Sequence, residues 1–185
     1  ARIYRVSDDI RLLNAPDALL RAEQAHHHFT RISTASPRIA ARFASHPNVT
    51  IDPVGIPHDQ IDIRTPDPYP TPRRGPVAVC AGTTLIDIPA LIRIARQRPD
   101  WQIHVLGRLR RTPPALPNIT WHGEQPFATT LAHIAHADIG LAPYRDAPGV
   151  EYQTTNSNRI LLYRHHGLPT LGPDRLCDPA LPSII

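Results

Sequence analysis

Val77-Ala78-Val79-Cys80-Ala81-Gly82-Thr83-Thr84 opens with five apolar residues in an unbroken run and closes on a glycine turn. A short apolar run bounded by a turn residue is the pattern of a strand buried on both faces. Working outward, Ile86 to Gln97 sets Ile88, Leu91, Ile92 and Ala95 on one face of a helix, and Gln102 to Leu106 reads as a second strand ending at Gly107. The alternation continues. Asn118 to Trp121 is a strand ending at Gly123, Pro126 to His136 a helix, and Ile139 to Ala142 a strand ending in Pro143-Tyr144. Asn156 to His166 is then a helix closed by Gly167, and Leu168 to Leu171 a last strand. Strands alternating with helices at this spacing predict an α/β fold with a parallel sheet covered on both faces. Ligands of such sheets bind beyond the carboxyl ends of the strands, where Gly82, Gly107, Gly123 and Tyr144 all fall.

A shorter alternation precedes this one. Ile3 to Val6 is a strand, Ala15 to Phe29 a helix with Pro16 and Asp17 in its first turn, and Arg31 to Ala35 a strand. Ser36 is placed to cap a helix over Pro37 to Ser45, and Asn48 to Pro53 is a further strand. Pro57, Pro66, Pro68, Pro70, Pro72 and Pro76 then crowd one segment, a density expected of a semi-rigid linker. The expected organisation is residues 1–60 as the end of one Rossmann-like domain, 61–75 as linker, and 76–185 as a second Rossmann-like domain. Two such domains would face a cleft.

Composition narrows the function classes. All 20 basic residues are Arg, and the net charge of +4 suits anionic partners such as phosphorylated ligands. No interleaving of aromatics with Arg and no helix-turn-helix pattern supports nucleic acid, so none is expected. No apolar run approaches the roughly 18–20 residues of a membrane span. Met is absent and the last residues, Leu181 to Ile185, are mostly apolar, so the sequence reads as a piece of a longer chain. Cys80 and Cys177 match no metal or redox spacing, and Cys80 lies in the buried-strand run, the pattern of a reduced thiol in the cytoplasm.

Two constellations carry chemistry. Thr154-Thr155-Asn156-Ser157-Asn158-Arg159 leads into an apolar helix that Asn156 or Ser157 can cap. Free N–H groups at such an end attract phosphate, and Arg159 adds a full charge. An ordinary capped surface helix would show the same residues. Its Arg would be unfavourable to the helix dipole by a few tenths of a kcal/mol, a cost that a resident anion removes. Asp8-Asp9 follows a strand, and one carboxylate can serve as general base with its pKa raised by its neighbour. An exposed turn is the alternative. Gly82-Thr83-Thr84 is a shortened glycine turn open to close ligand approach, while no phosphate-cradling P-loop is present. His26-His27-His28 diverge around a helix, and His133 and His136 share a face without a third ligand, so no metal site is expected.

Ala142-Pro143-Tyr144, Ser157-x-Arg159-x-Leu161-x-Tyr163 and Gly167-Leu168-Pro169 resemble the C-terminal donor domain of GT-B glycosyltransferases. Within that family the likeness is to the membrane-associated glucuronosyltransferases of xanthan assembly. It covers nearly the whole chain: Tyr4 to Asp52 resembles the end of the acceptor domain, and Pro76 to Pro173 the donor domain. The resemblance implies inverting transfer of a sugar, glucuronate from UDP-glucuronate, to a lipid-linked oligosaccharide in exopolysaccharide synthesis. It also implies a cytoplasmic protein, peripheral on the inner face of the plasma membrane through an N-terminal half missing here. No cofactor or metal is implied beyond the UDP-sugar substrate. The family's catalytic aspartate matches Asp8 or Asp9. Donor contacts carry over to Thr84, Glu124, Tyr144, Asn158 and Arg159, beside Gly82, Thr83, Gly107, Asn156 and Ser157 from the reading of the residues. Arg159 stands where the family has Lys, Leu162 where it has Gln, and Asn158 where it has an apolar residue. The two Glu of retaining relatives fall at Thr154 and Leu162, which favours inversion. Another nucleotide sugar, such as UDP-glucose or GDP-mannose, a non-catalytic sugar-nucleotide module and an α/β interaction domain are the alternatives. The piece alone is expected to be inactive.

Overall fold

The computed structural model describes residues 1–111 and 113–177, and they form two compact units of α/β class with separate parallel sheets. In chain order the elements begin β1 (Ile3–Val6), α1 (Asp17–Gln24), β2 (Arg31–Thr34), α2 (Pro37–Ala40), β3 (Val49–Ile51) and α3 (His58–Ile61). They continue β4 (Val77–Ala81), α4 (Ile88–Gln97), β5 (Gln102–Leu106), β6 (Ile119–Gly123) and α5 (Phe127–Ala135). Last come β7 (Ile139–Leu141), α6 (Gln153–Asn156), α7 (Asn158–His165) and β8 (Thr170–Leu171).

The first unit combines Ala1–Gly55 with Ala147–Asn158. Its three strands lie parallel in the order β1-β2-β3, with Ile32 of the central strand paired to Tyr4 and Val49. Ser36 starts α2 as expected: its hydroxyl accepts from the Ile39 N–H at 3.3 Å, and Pro37 follows in the first turn. The helix expected over Ala15 to Phe29 is shorter, α1 giving way to a 3-10 turn at His26–His28. Val6, Ile32, Ile39 and Phe43 form the core together with Tyr152. Tyr152 explains why residues 147–158, expected with the donor domain, group here instead.

The second unit combines Ile56–Asp146 with Arg159–Ile185. Its sheet runs β6-β5-β4-β7-β8, all parallel. Every residue of β4 is buried, and the two-residue period of the strand divides them. Ala78 and Cys80 pack with Leu91 and Ala95 of α4 on one face, while Val79 and Ala81 pack with Leu131, Ile134, Leu162 and Tyr163 on the other. Asp87 caps α4, its carboxylate accepting from the Ala90 N–H at 2.9 Å. Residues 61–75 lie with this unit rather than standing free as a link. Tyr69 among them is buried, and its hydroxyl donates to the His133 carbonyl at 2.6 Å. Among the described residues no helix is long and apolar enough to cross a membrane.

Tyr163 of α7 joins the two central strands. Its hydroxyl donates to the Val79 carbonyl at 2.8 Å and accepts from the Ala81 N–H at 2.9 Å. The ring lies so near β7 that a Cβ on Gly140 would stand 2.4 Å from Tyr163 Cδ2. Gly140 is therefore where backbone and ring must meet without a side chain between them.

Candidate functional site

The chain order of the second sheet reverses at β4, growing outward to β5 and β6 on one side and then to β7 and β8 on the other. Such a reversal opens a crevice at the carboxyl ends of the two strands that flank it. The pairing agrees: β4 and β7 match at Ala78↔Ile139 and Val79↔Gly140, and β4 runs on to Ala81. Gly82 and Gly107 stand at the ends of β4 and β5 with φ of +95° and +128°, angles that exclude an ordinary side chain. A Cβ on Gly107 would lie 2.9 Å from Thr83 Cγ2, so the two loops approach each other as closely as glycine allows.

Arg159 enters this region from the first turn of α7 and is 5% exposed. Its Nε donates to the Ala81 carbonyl at 2.8 Å, Nη2 donates to the Gly82 carbonyl, and the guanidinium carbon lies 4.8 Å from the Tyr144 ring centroid. Nη1 is buried without a hydrogen-bond partner. Among the described residues its ionisable neighbours are Tyr144, Cys80 and Tyr163, with no carboxylate. Burial pushes the Cys80 thiol and the Tyr163 phenol up, so both are neutral near pH 7. A guanidinium stays charged at any ordinary pH. Among the described residues Arg159 is thus a buried cation with no carboxylate beside it, a costly arrangement that a bound anion offsets.

The other expected donor residues divide. Gly82, Thr83, Gly107 and Tyr144 gather at the strand ends of the second unit. Thr83 spends its hydroxyl on the Arg108 carbonyl at 2.7 Å, and Thr84 and Glu124 are exposed. The expected helix start at Asn156 needs correction. Asn156 ends the separate short helix α6, Ser157 is extended with ψ of 117°, and α7 begins at the exposed Asn158. The Asn156 side chain is taken up in the first unit, where its amide donates to the Ser7 carbonyl at 3.3 Å.

The sequence reading passed over Arg108, Arg110 and Arg111, all exposed on the loop after β5. Arg110 and Arg111 line a cavity of about 340 Å³ with Gly107, Gly123 and Trp121, whose indole N–H is buried without a partner. Three Arg within four residues of a strand-ending glycine were the available signal. A second groove of about 410 Å³ beside Tyr144 carries Asp87, Asp146 and Asp174 against Arg93, a balance that disfavours an anion.

In the first unit the two candidate bases differ. Burial alone would raise the pKa of Asp9, but hydrogen bonds from Arg11 and the charge of Arg42 more than offset it and hold the carboxyl below its ordinary value. Arg11 Nε lies 2.9 Å from Oδ1, Arg11 Nη2 lies 2.5 Å from Oδ2, and Arg42 Nη1 lies 3.1 Å from Oδ1. Arg42 also pairs with the buried Glu23, so Asp9 belongs to an ion-pair network. This inverts the expectation that its carboxylate neighbour would raise its pKa. Asp8 is half-buried and accepts from the Tyr152 hydroxyl at 3.0 Å. Burial and the Asp8 charge push the Tyr152 phenol up, which keeps it a donor.

No protein-family model matches the chain. Over 179 residues, 96% of its length, it is 30% identical to the UDP-glucuronate:glycolipid 2-beta-glucuronosyltransferase of Xanthomonas campestris pv. campestris. The chain spans 44% of that relative's length. The likeness to a glucuronosyltransferase of this kind is thereby shown along nearly the whole chain.

Proposed function

We propose that the chain carries the donor-binding part of an inverting glycosyltransferase that moves glucuronate from UDP-glucuronate onto a lipid-linked oligosaccharide in exopolysaccharide synthesis. The observation that carries this reading is Arg159, a buried guanidinium with an unused N–H at the carboxyl end of the central strand. The diphosphate of a nucleotide sugar supplies the anion it lacks. The substrates in the name of the 30% identical Xanthomonas relative, UDP-glucuronate and a glycolipid, support the donor and acceptor classes.

In this reaction the acceptor hydroxyl oxygen attacks the anomeric carbon as the bond from that carbon to the UDP oxygen breaks. The hydroxyl proton passes to Asp8, and UDP leaves from the opposite face with the bonding electron pair. Arg159 stabilises the charge that builds on the departing diphosphate, the role otherwise given to a metal ion. Arg108, Arg110 and Arg111 add positive potential that draws the anionic donor to the strand ends. Asp8 is preferred to Asp9 as base because two guanidiniums make Asp9 a weaker proton acceptor. A lipid-linked acceptor and a nucleotide-sugar donor are the support for reading the enzyme as a peripheral protein on the cytoplasmic face of the plasma membrane.

The test is transfer by the longer protein with UDP-glucuronate, UDP-glucose and GDP-mannose offered as donors. Selective use of UDP-glucuronate, abolished by Asp8→Asn, supports the proposal. Equal turnover with another donor overturns the specificity, and full turnover by Asp8→Asn makes the Asp8 region idle.

A further inference from the structure

His104, His122 and His133 come from three different elements, β5, β6 and α5, and are absent from the donor site. One candidate ligand nitrogen of each ring lies within 4.8 Å of the others. We propose that these three imidazoles form a binding site for one zinc-class divalent ion, which ties the two strands to the helix.

The geometry is that of convergence rather than chance proximity on a surface. His104 Nδ1 and His122 Nε2 share a hydrogen bond of 2.9 Å, whose proton a bound ion would replace, and the His122 and His133 ring centres are 4.8 Å apart. A tetrahedral ion with bonds of about 2.0–2.1 Å holds its donors about 3.3 Å apart. The close pair therefore opens by a few tenths of an ångström while His133 draws in, a change within reach of side-chain torsions. His122 is the extra residue of a β-bulge: Val105 pairs with Trp121 and Leu106 with Gly123. Bulges of this kind re-aim a side chain.

The protonation pattern suits ligation. His133 Nδ1 lies 2.8 Å from the Thr129 carbonyl, which only accepts, so Nδ1 carries the proton and Nε2 keeps its lone pair. Metal-bound histidines are oriented by that same contact from the other ring nitrogen.

The surroundings select the ion and its role. The group contains no carboxylate, so the oxygen-seeking magnesium and calcium are poor matches, whereas imidazole suits zinc, copper and nickel. Tyr69 covers one side, its ring centre 4.7 Å from that of His104 and 5.3 Å from that of His133. His104 and His133 are buried and His122 is half-buried, which leaves a fourth position for water. His136, on the same helix face as His133 in the sequence pattern, takes no part in the group: its Nε2 lies 2.7 Å from the Thr65 carbonyl. A second group, His58, Asp62 and His165, is exposed and is the competitor to be separated.

The test titrates the chelator-treated chain with cobalt(II) and then zinc(II), following stoichiometry and the visible cobalt spectrum. The expected result is one equivalent bound with the intense absorption of four-coordinate cobalt, displaced by zinc, and a chelator-reversible rise in Tm. His122→Gln, chosen because the half-buried ring can be replaced without emptying the core, weakens binding at least about tenfold, while His165→Gln leaves it intact. Absence of a saturable equivalent overturns the proposal. So does binding that survives His122→Gln or is lost with His165→Gln.

Discussion

Arg159 holds its guanidinium carbon 4.8 Å from the centre of the Tyr144 ring, Tyr144 coming from the loop that follows β7 and Arg159 from the first turn of α7. The ring face attracts the cation without neutralising it. Two backbone carbonyls accept from Nε and Nη2 while Nη1 is left without a hydrogen-bond partner, so the residue is fixed in place with no carboxylate beside it among the described residues.

Arg159→Met is expected to weaken UDP binding roughly ten- to a hundredfold, the equivalent of losing one charge-assisted hydrogen bond of ~1.5–3 kcal/mol. Arg159→Lys recovers part of the loss, because an ammonium keeps the charge without the planar fork. Urea midpoints of both variants serve as the control for folding. UDP bound by the Met variant as tightly as by the parent would remove Arg159 from the site.

Gly140→Ala is expected to destabilise the chain by about 1–3 kcal/mol, since the new methyl must displace the Tyr163 ring or bend β7. Gly123→Ala is the comparison: no atom lies within 4 Å of the added carbon, and only its φ of +68° opposes the change. Denaturant unfolding checks the order, with Gly140→Ala the more damaging of the two.

Stability is expected to depend on Asp9 in acid. Its folded pKa lies below the unfolded value of about 3.9, so the contribution is complete above about pH 4 and is lost as the pH falls toward the depressed folded value. Urea midpoints measured from about pH 7 to about pH 3 should fall less steeply for Asp9→Asn than for the parent chain. Parallel curves would show that the Arg11 and Arg42 contacts do not persist in solution.

The strands of the second sheet were legible because an apolar run such as Val77 to Ala81 has one physical explanation, burial on both faces. Gly82 and Gly107 were legible for the same local reason, each ending a strand where positive φ is needed. What could not be read was decided at long range. Nothing near Tyr152 announces that it packs against Val6 and Phe43, and Asn156 is drawn from the expected helix by a carbonyl 149 residues away. Arg159 was placed correctly in a first turn, but its burial depends on the carbonyls of Ala81 and Gly82. The histidine group was hidden because each ring comes from a different element and none shows metal-site spacing.

The donor site at Arg159 is tested most directly by calorimetric titration of the chain with UDP, with GDP and ADP as controls and no metal added. Saturable UDP binding at one site is expected, with GDP and ADP markedly weaker. A folded chain that binds none of the three would contradict the donor-site assignment.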